Sequence, residues 1–221
     1  MSPTQLMERL DSAVAGKKLL DHPFYEAWAA GTLTRDDLAF YASQYWRQVE
    51  AFPGYLEALA ERFEGETKAE LDANLADEVD GDHAGLWLRF AAGVGAASDE
   101  VTAAPPEPET LSCVAAFKNA PKRSPLFALG MLYGYESQTP EVARTKAAGL
   151  RDHYGIGGGA VEYFELHGEL DVLHAGDLAG AIAREATDDN DLNEATAGAA
   201  AGAEAVWTLL DGVTRARSIA P

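Results

Sequence analysis

Along nearly the whole chain, apolar residues recur at spacings of three and four, the repeat that places them on one face of an α-helix, and no stretch alternates strictly enough to require a strand. The pattern predicts an all-α protein. A first helix is expected near Gln5 to Leu20, ending before the Asp21-His22-Pro23 turn, and a short second one from Pro23 toward Gly31, a plausible helix stop. Thr34 opens a third. Asp37 stands where a capping-box acid belongs, and Leu38, Tyr41, Tyr45, Val49 and Phe52 mark one face before Pro53 kinks or breaks the run. Thr67 starts a segment through about Asp80, Gly81 interrupts it, and Leu86, Trp87, Phe90 and Ala91 carry another helix to the Gly93-Val94-Gly95 break. Ala96 to Thr110, with Pro105, Pro106 and Pro108, reads as a loop. Ser124 to Tyr154 reads as one long helix bent at Pro140, Val161 to Glu185 as a strongly amphipathic helix, and Leu192 to Arg217 as the last. The composition does not change across the proline-rich loop and no solenoid-length repeat recurs. The expectation is therefore a bundle of about seven helices in one domain over residues 1–221.

With 221 residues, 47% hydrophobic and 24% charged, the chain is long enough for a sizeable core, which excludes disordered and fibrous classes. Lysine and arginine total 17 against 36 acids, a formal charge of -19. A nucleic-acid backbone or an anionic membrane would be repelled over most of such a surface, so neither is an expected partner. The deficit falls on lysine, and the acid is spread along every segment, a balance that keeps proteins hydrated in concentrated salt and points to a halophilic source. Cys113 is the sole cysteine, so an intrachain disulfide, a structural zinc held by thiolates and an iron–sulfur centre are all excluded. A reducing cytoplasm fits. The N-terminus lacks a basic stretch followed by an apolar run, and no segment approaches the roughly 18–20 apolar residues of a membrane span.

The sharpest chemical pattern is His167-Gly168-Glu169-Leu170-Asp171-Val172-Leu173-His174. Residues four and seven apart on a helix point within roughly 60° of one another, so His167, Asp171 and His174 share a face. Two imidazoles and a carboxylate converging from a rigid helix suit a first-row transition metal; the same spacing also arises on a solvated polar face. Glu136 sits beside the apolar run Leu129-Gly130-Met131-Leu132-Tyr133-Gly134-Tyr135. Burying an unpaired carboxylate there costs several kcal/mol, so it is protonated, ion-paired, at the surface or ligating a cation. Glu78 and His83 would splay on an unbroken helix, but Gly81 lets the chain turn so that both can face inward from successive helices. Together the six side chains supply three imidazoles and three carboxylates, the inventory of a dinuclear carboxylate site. The usual Glu-x-x-His repeat is absent, with Asp171-Val172-Leu173-His174 the nearest substitute.

Five stretches carry a resemblance that covers most of the chain. They are His22-Pro23-Phe24-Tyr25 with Trp28 and Gly31-Thr32-Leu33-Thr34; Ala51-Phe52-Pro53-Gly54-Tyr55-Leu56; Asn74-Leu75-Ala76-Asp77-Glu78; Leu132-Tyr133-Gly134-Tyr135-Glu136-Ser137-Gln138-Thr139-Pro140; and Tyr163-Phe164 followed by His167, Asp171 and His174. In these the chain resembles the haem-oxygenase-like di-metal oxidases, and within them the death-domain-associated proteins that act as self-sacrificing para-aminobenzoate synthases. The resemblance implies a haem-oxygenase-like bundle and places Glu78, His83, Glu136, His167, Asp171 and His174 as the ligands of two transition-metal ions, Fe/Fe or Mn/Fe. The segment between Glu78 and His83 is shorter than in the family. Dioxygen and an external reductant would be co-substrates. Tyr25 matches the tyrosine whose ring is cut from the chain, and Lys146, in a chain of few lysines, matches the nitrogen donor. Tyr41 and Tyr135 match further tyrosines near the site that relay an electron or proton. By residue chemistry alone, Tyr25 and Tyr41 also fit ordinary core positions and Lys146 a solvated helix surface.

The expected activity is thus a single-turnover oxidation that releases para-aminobenzoate for folate or pterin cofactors. Four alternatives differ in what they require. A thiaminase-like enzyme needs a thiol nucleophile in the central helix, whereas Ser124 to Gln138 has no cysteine. A pyrroloquinoline-quinone synthase needs arginines and histidines around a multiply anionic substrate, whereas the expected pocket is rich in carboxylates. An oxidase of an external fatty acid or amino acid would use Tyr25 and Lys146 only as pocket lining. A non-catalytic interaction protein would bind no tight metal and expose an apolar patch. A homodimer is the default assembly for a compact helical enzyme.

Overall fold

The computed structural model describes residues 3–219. Among them there are eleven α-helices and no strand: α1 (Pro3–Val14), α2 (Pro23–Ala30), α3 (Arg35–Ala60), α4 (Gly65–Asp80), α5 (His83–Val94), α6 (Ser98–Ala103), α7 (Pro108–Arg123), α8 (Pro125–Glu136), α9 (Thr139–Tyr154), α10 (Glu162–Glu185) and α11 (Asp189–Arg217). The all-α expectation holds, with a finer division than about seven helices.

The extra helices come from breaks and continuations that periodicity does not report. The first helix stops at Val14, and two short 3₁₀ turns lead from there to Asp21. The presumed loop after Ala96 contains α6 and the start of α7, with Pro108 in the first turn, where its missing N–H costs nothing. The long segment from Ser124 is two helices, broken at Ser137-Gln138 ahead of Pro140 rather than bent at it. Pro53, by contrast, neither ends nor splits α3, because Val49, Phe52, Tyr55 and Leu56 are all buried around it and packing outweighs one lost backbone bond. The Thr34–Asp37 capping box forms as expected, and Gly31 ends α2 in the left-handed region at φ 68°.

Helix α8 is the axis of the bundle: every residue from Leu126 to Glu136 is buried, the mark of a helix covered on all sides. It lies against α11 backbone to backbone. A Cβ at Gly130 or Gly134 would stand 1.9 or 2.1 Å from the carbonyl oxygens of Ala195 and Ala199, and one at Gly198 would stand 2.0 Å from that of Phe127. Glycines on both helices therefore set the approach and bring Glu136, the last residue of α8, into the protein's interior. Among the described residues no helix is long and apolar enough to cross a membrane.

Candidate metal centre

Four helices deliver the six predicted ligands, and all six are buried. Glu78 lies on the inward stripe of α4 with Leu71 and Asn74. His83 starts α5 directly after a tight reversal in which Asp82 adopts φ 52° and caps Gly85 N. Gly81 is needed there, since a Cβ would meet Asp77 O at 2.4 Å and His83 Nε2 at 2.8 Å. The reversal turns His83 back toward Glu78, and its Nδ1 stands 2.8 Å from Glu78 Oε2. His167 of α10 completes this first group: one donor atom from each of Glu78, His83 and His167 falls within 4.8 Å of the others. Glu136, Asp171 and His174 converge less closely: among the described residues they form no second group of that kind, although His174 Nδ1 stands 3.5 Å from Asp171 Oδ1. A shared cavity of about 10 Å3, room for about one water-sized molecule, touches Glu78, Glu136, His167 and Asp171, with Val49, Phe52, Tyr135 and Tyr163 as its other walls.

The donor atoms that face one another are also disposed to fit metal ions. His167 Nδ1 donates to Tyr163 O at 2.7 Å, which leaves Nε2 facing Glu78. His174 Nε2 donates to Asp77 Oδ2 at 3.1 Å, and its buried Nδ1 has no hydrogen-bond partner. Both nitrogens of His83 are likewise buried without one, despite the nearby carboxylate. A buried imidazole nitrogen left unpaired beside a carboxylate, with the opposite nitrogen held by an outer partner as in His174, suits a transition-metal ligand; His83 has the first feature without the second.

The carboxylates divide electrostatically. Burial pushes Glu78 up, but the imidazoles of His167 and His83 outweigh it and hold the carboxyl at about 2. Glu136 is raised to about 8 by burial and by the charge of Asp171, against the opposing pull of His174 and Asn74. Burial works against charge on His174 also, yet Asp171, Glu136 and Asp77 hold it at about 9. Such a cluster of mutually repelling acids is stabilised by bound cations.

A second buried group adjoins the first. Lys146 of α9 is 4% exposed, and its Nζ donates to Tyr41 OH at 2.6 Å. Tyr41 OH shares a hydrogen bond of 3.2 Å with Tyr25 OH. The same Nζ stands 4.8 Å from the centre of the Tyr25 ring, within a surround of Trp28, Tyr41, Tyr45 and Phe164. Burial drives the amine well below its ordinary 10.5, and raises the Tyr25 and Tyr41 phenols. Tyr135 accepts from Tyr45 OH at 2.9 Å and borders the ligand cavity. From His167, ring contacts run through Tyr163 at 4.0 Å, Trp87 at 4.9 Å, Tyr45 at 5.0 Å and Tyr41 at 5.3 Å to Tyr25 at 6.4 Å. The two groups are thus joined by packed aromatics.

Several contributors are absent from the sequence reading. Asn74 donates to both oxygens of Glu136, at 3.2 and 3.4 Å, and Asp77 holds His174. The signal for Asn74 is its position four residues before Glu78, on the same helical face. Of the five histidines, the two that are not predicted ligands have structural partners: His22 Nδ1 caps α2 at Phe24 N, and His153 Nε2 donates to Ala29 O. Cys113, on α7, is buried and its thiol is pushed up by burial, the opposite of an activated nucleophile.

Comparison with known proteins agrees with this arrangement. A family of iron-containing redox enzymes, haem-oxygenase-like, matches residues 39–207. The 4-aminobenzoate synthase of Nitrosomonas europaea is 34% identical, covering 96% of this chain and 92% of its own. That of Chlamydia muridarum is 36% identical over 84% and 80% of the two chains. Among solved structures, a protein of heme oxygenase-like fold from Shewanella denitrificans superposes with a TM-score of 0.84 at 16% identity, over 99% of this chain and 94% of the other. A TenA homologue from Pseudomonas syringae gives 0.80 at 14% identity, over 96% and 92%. The chain belongs to the haem-oxygenase-like family of iron-containing redox enzymes and is an oxidoreductase.

Proposed function

We propose that this protein is a self-sacrificing 4-aminobenzoate synthase, in which the Tyr25 side chain becomes the product's carbon skeleton and Lys146 supplies its nitrogen. The observation that carries the reading is the placement of the Lys146 amine 4.8 Å over the Tyr25 ring, both sealed in the interior, while the cavity at the ligands measures only about 10 Å3. The curated relatives carry the same activity in their names.

Glu78, His83 and His167 would hold one ion and Glu136, Asp171 and His174 the other, as Fe/Fe or Mn/Fe. When bound, the ions supply the oxidising power of dioxygen, renewed by an external reductant. The remaining work belongs to the chain. Burial lowers the pKa of the Lys146 amine well below its ordinary 10.5, which favours the form whose lone pair is a nucleophile, and the surrounding rings exclude water. Lys146 Nζ, Tyr41 OH and Tyr25 OH form one hydrogen-bonded line, with Nζ donating to Tyr41 OH, which holds the amine against the ring it faces. A cytoplasmic homodimer is part of the same proposal.

The test is isotopic. Protein made with ring-¹³C tyrosine and ¹⁵N lysine, loaded with iron and manganese and given dioxygen and reductant, should release 4-aminobenzoate carrying both labels, at no more than one per chain. Unlabelled product, many turnovers per chain, or full yield from Tyr25→Phe and Lys146→Met would sink the reading.

A further inference from the structure

Tyr25 and Lys146 sit on different helices, and something must fix the spacing between them. We infer that Trp28 is the positioning residue that sets the Lys146 amine over the Tyr25 ring, with Gly149 as its matched partner. The inference rests on the proposed reaction for its consequence, though not for its geometry.

Trp28 lies three residues after Tyr25 on the short helix α2, so the two side chains emerge within roughly 60° of each other. It is fully buried, and a buried indole N–H must find an acceptor. The acceptor here is the backbone carbonyl of Lys146 itself, at 3.2 Å. That carbonyl lies inside α9, where its helical partner is the N–H four residues on, so the indole bond is additional to the helix's own. The helix that carries the tyrosine is thereby tied to the backbone of the residue whose amine faces its ring. Gly149 makes the tie possible. A Cβ at 149 would stand 2.8 Å from Trp28 Cδ1, 2.9 Å from Nε1 and 3.3 Å from the Trp28 carbonyl oxygen, so any larger residue pushes α2 and α9 apart. The indole also packs on Tyr41 at 5.6 Å between ring centres, and Tyr41 is the hydroxyl that receives the Lys146 proton donor. One side chain thus touches the backbone of Lys146, the bridging tyrosine and the helix of Tyr25.

Two readouts test this, one of them independent of metal and turnover. The chain has six lysines. Metal-free protein grown with lysine ¹³C-labelled at Cε should give a Lys146 signal, assigned by its loss in Lys146→Met, displaced upfield from the others by the ring faces around it. Trp28→Phe keeps an aromatic and removes the N–H; Gly149→Ala keeps the N–H and removes the space. Each should move the Lys146 signal toward the other five while leaving metal content at the wild-type level. Each should lower the single-turnover rate of ¹⁵N-labelled 4-aminobenzoate formation by about tenfold to a hundredfold, the scale of an ångström's misplacement of a reacting group. In Trp28→Phe/Gly149→Ala the added methyl meets a smaller ring, so the loss should not exceed that of either single variant.

An unmoved Lys146 signal with a rate within twofold of wild type in a folded variant overturns the inference, and if Trp28→Phe fails to fold, Gly149→Ala decides it alone. A signal that moves as far in a substitution of α2 away from the indole, Ala27→Ser at a half-buried position, overturns it also. If wild-type protein binds its metals and releases no labelled 4-aminobenzoate, the functional reading fails instead, and the lysine spectrum still decides whether Trp28 places the amine.

Discussion

A reaction that removes a buried ring from the protein's own core must leave a weaker protein behind. Tyr25 is 2% exposed, packs against Phe24 at 5.5 Å and Tyr41 at 6.4 Å between ring centres, and faces Lys146 Nζ at 4.8 Å. Cutting a large buried aromatic back to a methyl costs about 3–5 kcal/mol, because the surroundings collapse only in part. In a chain of this size each 1 kcal/mol shifts the melting temperature by about 2–4 °C, so Tyr25→Ala should melt about 6–20 °C below wild type. Tyr25→Phe retains the ring and loses only the hydroxyl contact to Tyr41 at 3.2 Å. That change is worth about 1 kcal/mol, or about 2–4 °C. Calorimetry on metal-free proteins measures both. Wild type loaded with metals and taken through one turnover, then stripped, should show a second, earlier-melting population whose fraction equals the product formed per chain. If Tyr25→Ala melts within about 1 °C of wild type, the ring does not contribute to the core as its contacts indicate. If spent chains melt with fresh ones despite stoichiometric product, the carbon skeleton does not come from Tyr25.

Three further outcomes follow from the site. Elemental mass spectrometry should find two transition-metal ions per wild-type chain, and Glu136→Ala and His167→Ala should each lose metal, His167→Ala from the group formed with Glu78 and His83. Asn74→Leu, which removes the amide bonded to both oxygens of Glu136, should weaken metal binding by about 10–100-fold in a chelator competition without changing the ligand set. Lys146→Met should raise the melting temperature at neutral pH, and the gain should shrink as pH rises. The sign follows from proton counts: below the ordinary lysine value of 10.5 the unfolded chain binds a proton at Lys146 that the folded chain, with its depressed amine, does not, so wild type gains stability with pH up to that point. A melting difference between the two that stays constant from pH 7 to 10 would show the amine to be charged in the fold.

The three-and-four periodicity suffices for an all-α bundle because it reports which face of each segment is buried. It does not report where a segment stops. Ser137-Gln138 separates α8 from α9 inside what reads as one amphipathic run, and Pro53 lies in an unbroken helix although a proline reads as a break. Both outcomes depend on what packs alongside, which is a tertiary matter. The site divides in the same way. The common face of His167, Asp171 and His174 is legible from spacing, and Gly81 foretells the turn that brings His83 back to Glu78. Lys146 is different: the family resemblance places it at the site, but by residue chemistry alone it reads as solvated surface, and the fold shows it enclosed by Tyr25, Tyr41, Tyr45 and Phe164. Asn74 shares a helical face with Glu78, but neither its partner Glu136 nor the partner of Asp77, His174, is legible until those residues arrive from other helices.

The break at Ser137-Gln138 has a consequence for how the two buried groups are kept apart. Glu136 and Lys146 are ten residues apart in sequence, and on a continuous helix they would be displaced by about 15 Å along one axis and turned about 80° from each other. Ending α8 at Glu136 frees the next helix to take its own direction, and α9 packs against α2 and α10, where its Lys146 meets Tyr25 and Phe164. The ligand cluster then holds the buried carboxylates and imidazoles, whereas the surround of Lys146 Nζ is made of rings alone. That separation serves opposite needs. Metal ions require charged oxygen donors around them, while a lysine that must stay neutral requires that such charges be distant, since a carboxylate beside Nζ would restore its proton. An oxidase of external substrates gains nothing from burying a lysine whose ionisation its core opposes; a protein that uses that amine once has reason to.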